Sequence, residues 1–516
     1  MAKMKPGLVR LTLLALAVSS LVLSAVVLRA SALTWSTSSQ VPVNTTFNTN
    51  PSVTEDLLGR LWLVYQSSPI LANPKIYYKT FNGFTWTAEQ VVTSDPSKNT
   101  SPAILTLTNG TLLIAWTSNR TGNAEIFYKT NTGGIWSQDR QLTSSTSPDT
   151  DVNLAQDLAG NIWVAWQRAT GGTADIYYVT MKGTVKSPEF QLTTDPAPDI
   201  LPSVVAGLDG KVWVAWASLR TGNYEIWWTT LSGPGAAHVE NQLTKDSATD
   251  QNPEVIQARD GSTLIVWSRE IKISMNQFES DLYYETTADN GVTWSVEQAL
   301  TSSTLFDDFA PSAVQSSDKK IWLFWSSDMP AGTDFNIFYE FSNQVLTHNV
   351  SVVSLSASPN NVPKGTLITI NATVADSGDF SETTRLTITA NSTVLLANNI
   401  TLTVGQVLNS LFSWDTTTYQ PGCYFVTATL APVSGELIAS QFDNSLTFRV
   451  HVLYLGDLNR DGVVNIIDVA ILANSYATTP GSPNWNPNAD LNHDNVINII
   501  DLAILANNYA KSIHLC

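Results

Sequence analysis

An aromatic residue returns inside an apolar strand at Tyr65, Trp116, Trp166, Trp216, Trp267 and Trp325, in steps of 51, 50, 50, 51 and 58 residues. The pattern around each is clearest from Pro202. A first strand ends at a glycine turn, and Val212-Trp213-Val214-Ala215-Trp216 alternates as a second. An Arg-x-Gly-Asn turn leads to a third strand, residues 225–229. A fourth carries Gln-Leu-Thr, as at Gln141-Leu142-Thr143, Gln191-Leu192-Thr193 and Gln242-Leu243-Thr244. Alternation of period two means strands with one buried face. Four short strands per roughly 50 residues make a propeller blade, which buries its faces only against neighbouring copies. Six anchors predict six blades over residues 33–346.

Strand counting tests this. The sixth repeat stops at Phe341-Ser342-Asn343-Gln344 without its fourth strand. Leu33-Thr34-Trp35-Ser36 and Gln40-Val41 match the missing piece, so residues 33–50 are expected to close the last blade and leave no unpaired edge. Ser118 to Ile126 and Ser218 to Ile226 resemble TolB-type repeats. Thr287-Ala288-Asp289-Asn290-Gly291-Val292-Thr293-Trp294 resembles the Asp-box of sialidase-like propellers. Both resemblances imply architecture, not activity.

The C-terminal end repeats itself. GDLNRDGVVNIIDVAILANSY begins at Gly456 and ADLNHDNVINIIDLAILANNY at Ala489, offset by 33 residues. Each copy reads D-x-N-x-D-x-x-x-N-x-x-D and opens an apolar helix. Calcium takes six to eight oxygens, which a tight loop supplies from alternating positions. The first set is Asp457, Asn459, Asp461, Asn465 and Asp468, with the Val463 carbonyl. The second is Asp490, Asn492, Asp494, Asn498 and Asp501, with the Val496 carbonyl. Two ions are expected. Gly462 and Asn495 stand where the loop turns sharply, and both residue types tolerate the left-handed region. Three aspartates per loop repel one another without a cation, so folding here should depend on calcium.

On these residues the segment 453–516 resembles a type I dockerin, which implies a cohesin module on another protein as partner. The resemblance places recognition at loop positions ten and eleven and the following helix, here Ile466, Ile467, Asn474, Ile499, Ile500 and Asn507. Many dockerins of cellulosomes carry a hydroxyl pair where this chain has Ile-Ile. Near-identity of the copies implies that either could present the same face.

The remainder sets the setting. Lys3, Lys5 and Arg10 precede an apolar run at 11–28 and Ala30-Ser31-Ala32, the form of a signal peptide over residues 1–32; uncleaved, it would serve as a membrane anchor. The expected location is secreted or cell-surface. Net charge is −17, which excludes nucleic acid as a partner. Two cysteines make no disulfide framework. Cys423 reads as a buried thiol in a strand and Cys516 as part of a loose tail, with a bridge between them left open. From 347 to 452 a new alternation, with Trp414 and Pro421-Gly422-Cys423-Tyr424, predicts a seven-stranded Ig-like sandwich. It resembles the CARDB group of adhesion modules.

No catalytic residue is assigned. The five histidines are His238, His348, His451, His493 and His514, with no H-E-x-x-H and no Cys/His cluster. Arg120, Arg168, Arg220 and Arg269 recur at one blade position, as do Glu125, Asp175 and Glu225, and repeated residues are structural. A glycosidase needs two carboxylates. The candidate acids, which break the repeat, are Glu270, Glu279, Asp281, Asp307, Asp308, Asp328 and Asp334. The chain thus reads as mainly β: a six-bladed β-propeller, an Ig-like sandwich and a small helical calcium dockerin. The first functional reading is calcium-dependent docking to a cohesin-bearing scaffold or surface protein, displaying a propeller that binds glycan or protein without catalysis. The alternatives are a dockerin-borne hydrolase of O-glycosyl bonds in a polysaccharide, and a membrane-anchored adhesin.

Overall fold

The computed structural model describes residues 33–43, 47–68, 72–183, 185–274, 277–302, 305–329 and 334–513. The leader, with its cleavage and anchor expectations, lies outside the described residues. No described helix is long and apolar enough to cross a membrane.

Six antiparallel sheets follow one another from Asn48 to Gln344. The fourth blade is typical: Asp199–Ala206, Val212–Ser218, Glu225–Leu231 and Asn241–Gln242 pair in sequence order. The aromatic anchors sit on each second strand. Tyr65, Trp116, Trp166, Trp216, Trp267 and Trp325 are all fully buried, in apolar clusters that each join two adjacent blades. A blade therefore gains its core only from its neighbour, which is why the repeat had to be closed.

Closure occurs as the strand count requires. Ser39–Gln40 pairs with Asn336–Gln344 of the last blade, Trp35 bridges Ser342, and Val41 is fully buried. The closing segment is shorter than 33–50, because Asn48–Glu55 is already the inner strand of the first blade. In five of the six blades a proline stands inside the first strand. The residues at 50, 101, 151, 201, 252 and 310 have φ between 48° and 56°, and the ladder skips register there. Pro51, Pro102, Pro202, Pro253 and Pro311 follow directly. A proline lacks the N–H that a central ladder needs, and a bulge is where that loss is harmless.

Around the axis the blades are stitched by side chains. Ser52 Oγ accepts from Ile104 N (3.1 Å), Asn153 Oδ1 from Val204 N (3.1 Å), and Ser203 Oγ from Val255 N (3.0 Å). Glu254 Oε1 accepts from Ala313 N (3.0 Å), and Ser312 Oγ from Val53 N (3.2 Å). Each contact runs from one blade to the next.

Residues 350–453 form a sandwich with eight strands rather than seven. Val350–Ser358, Leu367–Asp376 and Val407–Asp415 make one sheet. Asn361–Pro363, Ser445–Leu453, Gly422–Leu430, Glu382–Ala390 and Thr393–Leu402 make the other. The added strand is the three-residue Asn361–Pro363, which pairs in parallel with Ser445–Leu453 and is too short to show alternation. Trp414 lies in the core between the sheets. Cys423 is half-buried and disulfide-bonded, not a free buried thiol; the chain's other cysteine, Cys516, lies outside the described residues.

Candidate metal centre and docking face

Two helices follow, α1 (Ile466–Asn474) and α2 (Ile499–Asn507). Both begin at a capping box. Asn465 Oδ1 accepts from Ile467 N and Asp468 Oδ2 from Asn465 N (2.8 Å); Asn498 and Asp501 repeat this at α2. The same asparagines and aspartates that the loop pattern nominates thus also start the helices.

The loops are built alike. Asp468 Oδ1 accepts from Leu458 N (2.8 Å) and Asn459 N (3.2 Å), and Asp501 Oδ1 from Leu491 N and Asn492 N at the same distances. Both aspartates are fully buried. Asp457 Oδ2 accepts from Gly462 N and Asp490 Oδ2 from Asn495 N, each at 2.9 Å. Asn459 and Asn492 donate to Asp461 and Asp494 across the open side. Among the described residues no three His, Cys, Asp or Glu side chains converge as a metal cluster, so a cation here would also rely on amide oxygens and the Val463 and Val496 carbonyls.

One atom tests the fit. Asp457 Oδ1 is buried and has no hydrogen-bond partner. An unpaired carboxylate oxygen inside a protein is costly. Burial, then the charges of Asp468 and Asp461, push the Asp457 carboxyl up to about 6. A hard dication would satisfy the oxygen and offset the repulsion. The donor set fits calcium.

The two copies brace each other. Val464 N donates to Lys511 O and Ala510 N to Val464 O, while Ala477 N donates to Ile497 O and Ile497 N to Thr478 O. Each loop is therefore clamped by the chain that follows the other helix. Val464, Leu472, Ile497 and Leu505 form the core between them. The nominated docking residues face out: Ile466 is 66% and Ile467 53% exposed, Ile499 62% and Ile500 51%, and Asn474 and Asn507 are also exposed.

In the propeller, the repeated arginines occupy one kind of cage. Arg168 Nε and Nη2 reach both oxygens of the buried Asp149 (2.7 and 2.8 Å), Nη1 reaches Glu189, and the guanidinium lies 4.6 Å over the Tyr177 ring. Arg220 does the same with Asp199, Glu240 and Trp227, and Arg269 with Asp250, Glu297 and Tyr283. Arg120 binds Asp95, Asp139 and Phe127. Trp227 thus carries the cation while its neighbour Trp228 is buried on the other face. Glu125 and Glu225 accept from Thr143 and Thr244, stapling the outer strand.

Two acids expected to break the repeat belong to it. Asp281 accepts from Thr301 as Glu225 does from Thr244. Asp308 accepts from Trp325 Nε1 (2.9 Å) as Asp199 does from Trp216. Asp307 accepts from Ser280 N and Asp328 from Asp307 N, which is loop structure. Glu279 is buried, and Glu270 and Asp334 are exposed.

The propeller mouth is a cavity of about 90 Å³ lined by Asn50, Ser101, Asp151, Leu201, Asn252 and Ala310, above an axial channel of about 310 Å³. Glu254 stands at the neck between them, holding Ser203 Oγ (2.9 Å) and Ala313 N; burial pushes its carboxyl up to about 7. Sequence reasoning missed it. The signal was available: Asn252-Pro253-Glu254 carries Glu where Pro51-Ser52, Pro202-Ser203 and Pro311-Ser312 carry Ser.

Residues 455–508 match the family model of the dockerin type I domain. Among solved structures the chain is similar to a protein of unknown function from Dyadobacter fermentans, at 14% identity and a TM-score of 0.51, over 61% of this chain and all of that one. It is also similar to the alpha-L-arabinanase of Penicillium chrysogenum (15% identity, TM-score 0.45, 60% of this chain and 98% of that one). A third is the sialidase of Trypanosoma rangeli (12% identity, TM-score 0.45, 81% and 93%). At these identities the likeness is one of fold. None of the curated proteins matches the chain. The chain is mainly β with propeller-like neighbours, and its C-terminal residues 455–508 are a dockerin type I domain.

Proposed function

We propose that this chain is an extracellular modular protein that docks, with two calcium ions bound, to a cohesin module on a scaffold or surface protein. Its propeller is the displayed part. The observation that carries this reading is the doubled loop and helix: two like donor sets, one with an orphaned buried carboxylate oxygen, each opening a helix that exposes an Ile pair. Bound calcium would supply charge neutralisation. Asp457, Asn459, Asp461, Val463, Asn465 and Asp468 would hold one ion, and Asp490, Asn492, Asp494, Val496, Asn498 and Asp501 the other.

The propeller fits ligand binding better than catalysis. Its mouth mixes amide, hydroxyl and apolar groups with the carboxylates of Asp151 and Glu254, which suits a hydroxyl-rich ligand such as a glycan. Glu125, Asp149 and Glu254 are committed to a strand staple, an arginine cage and the axial ring. Calorimetric titration of calcium into the whole chain tests the docking reading. Two ions should bind, and Asp468→Ala and Asp501→Ala should each remove one. No binding at millimolar calcium would sink it.

A further inference from the structure

The two copies have nearly the same sequence but not the same surroundings. Beyond the clamp at Ala477 and Thr478, the chain between the copies runs beside α1. Pro483 and Trp485 from it face Ile467, Ile471 and Asn474 of α1 across an open groove of about 540 Å³. Trp485 is half-buried, anchored on the shared core. Every residue lining the groove is uncharged, in a chain of net charge −17. The groove is continuous with the exposed Ile466 and Ile467.

At α2 a different segment intervenes. Its C-cap, Asn508, donates Nδ2 to Leu455 O (2.9 Å), and Lys511 lies 5.4 Å over the Tyr454 ring. Tyr454 and Ile504 pack on the same core. Tyr454 and Leu455 directly follow the last strand of the sandwich, Ser445–Leu453. The far end of α2 is thus tied to the junction with the preceding module, and the far end of α1 borders a groove.

We infer that the copies are not interchangeable, and that the partner docks on the first. It inserts an apolar side chain between Ile467, Ile471 and Trp485, and its flanking contacts to Asn474 are uncharged and polar. The occupant is a cohesin-type protein surface with an apolar knob. A charged partner surface would leave its ions desolvated against the groove without a counter-charge. This rests on the docking reading proposed above.

The test uses the full chain in calcium against a panel of recombinant type I cohesin modules on a biosensor. Ile467→Asp and Pro483→Arg place a charge at the groove, at side chains already exposed. Ile500→Asp does the same at the second copy. Calcium titration of each variant shows whether both loops still form. For a module that binds the wild type, the first two variants should weaken binding by about tenfold or more, and Ile500→Asp by less than about twofold. Equal losses from Ile467→Asp and Ile500→Asp would overturn the inference and leave docking standing, as would loss only in their double variant. A wild-type chain that binds calcium but no module in the panel would overturn the docking reading and the inference with it.

Discussion

Arg168 shows what one blade residue does and what its loss entails. Its partner Asp149 is fully buried, and the guanidinium is the only group that reaches both its oxygens among the described hydrogen bonds. Removing one member of a buried pair strands the other charge. Arg168→Met should cost about 3–5 kcal/mol in urea denaturation, and Asp149→Asn in the same chain should restore a large part of it. The two blades without this arginine have adapted in different ways. In the first, Tyr65 replaces the tryptophan and its hydroxyl donates to Glu89, the acid that the arginine would have held. In the sixth, Met329 stands in the arginine's place and packs on the core, and among the described residues Asp308 is bonded by Trp325, Ser327 and Thr301. Burial pushes Asp308 up to about 6. Burial, with the Asp308 charge behind it, pushes Glu340 up to about 7. A carboxyl whose folded pKa is raised stabilises the fold below its unfolded pKa, near 4, and loses that contribution as pH rises through the folded value. On account of these two groups, the last blade should be more stable at pH 5 than at pH 8. Asp308→Asn with Glu340→Gln should flatten that difference in thermal unfolding. A pH slope unchanged by the double variant would refute the assignment.

At the scale of elements, the closing strand is the point of vulnerability. Ser39–Gln40 is two residues long, yet the segment around it puts Val41 into the cluster between the last and first blades and Leu33 and Trp35 beside the one before. Val41→Ala should cost about 2 kcal/mol. Deleting residues 33–41 should cost more and leave Asn336–Gln344 as an open edge, with concentration-dependent association in light scattering. This closure was legible in the sequence because it follows from counting strands. The blades were legible because a buried aromatic marks each second strand every fifty or so residues. The two like loops ahead of α1 and α2 were legible because their oxygen-bearing side chains alternate within twelve residues. The axial stitching was not. Ser203 to Val255 and Glu254 to Ala313 join residues more than fifty apart, and they depend on bulges whose left-handed residues include Leu201 and Ala310, types that advertise no such conformation. Asp281 looked like an exception because the longer fifth hairpin puts it 14 residues after Trp267, where Glu225 stands nine after Trp216; Asp308 was legible, 17 residues before Trp325 as Asp199 is before Trp216.

Across the whole molecule, the sandwich is held to the propeller by contacts from hairpin turns. Lys319 of the sixth blade pairs with Asp379, Ala439 N donates to Ala288 O (3.2 Å), and the Gly261 turn lies against the Ala439–Ser440 backbone. A Cβ on Gly261 would come within 2.9 Å of Ala439 C and Ser440 N, which no side chain can accommodate without displacement. The Lys319 and Gly261 turns join the first and second strands of their blades and Ala288 follows a third strand at the same end, whereas the mouth is lined from the residues where the inner strands begin. The sandwich therefore attaches away from the mouth. Gly261→Ala tests whether the contact fixes that arrangement. Gly122→Ala is its control: Gly122 also has a positive φ, at +95°, but nothing lies within 4 Å of its Cβ position. Both variants carry backbone strain of about 1–3 kcal/mol; only Gly261→Ala meets the neighbouring module. The radius of gyration from small-angle scattering should rise for Gly261→Ala and stay unchanged for Gly122→Ala, with faster proteolysis near residues 345–349 in the first alone. If both variants scatter like the wild type, the turn does not set the angle between the modules, and the Lys319–Asp379 pair becomes the contact to break.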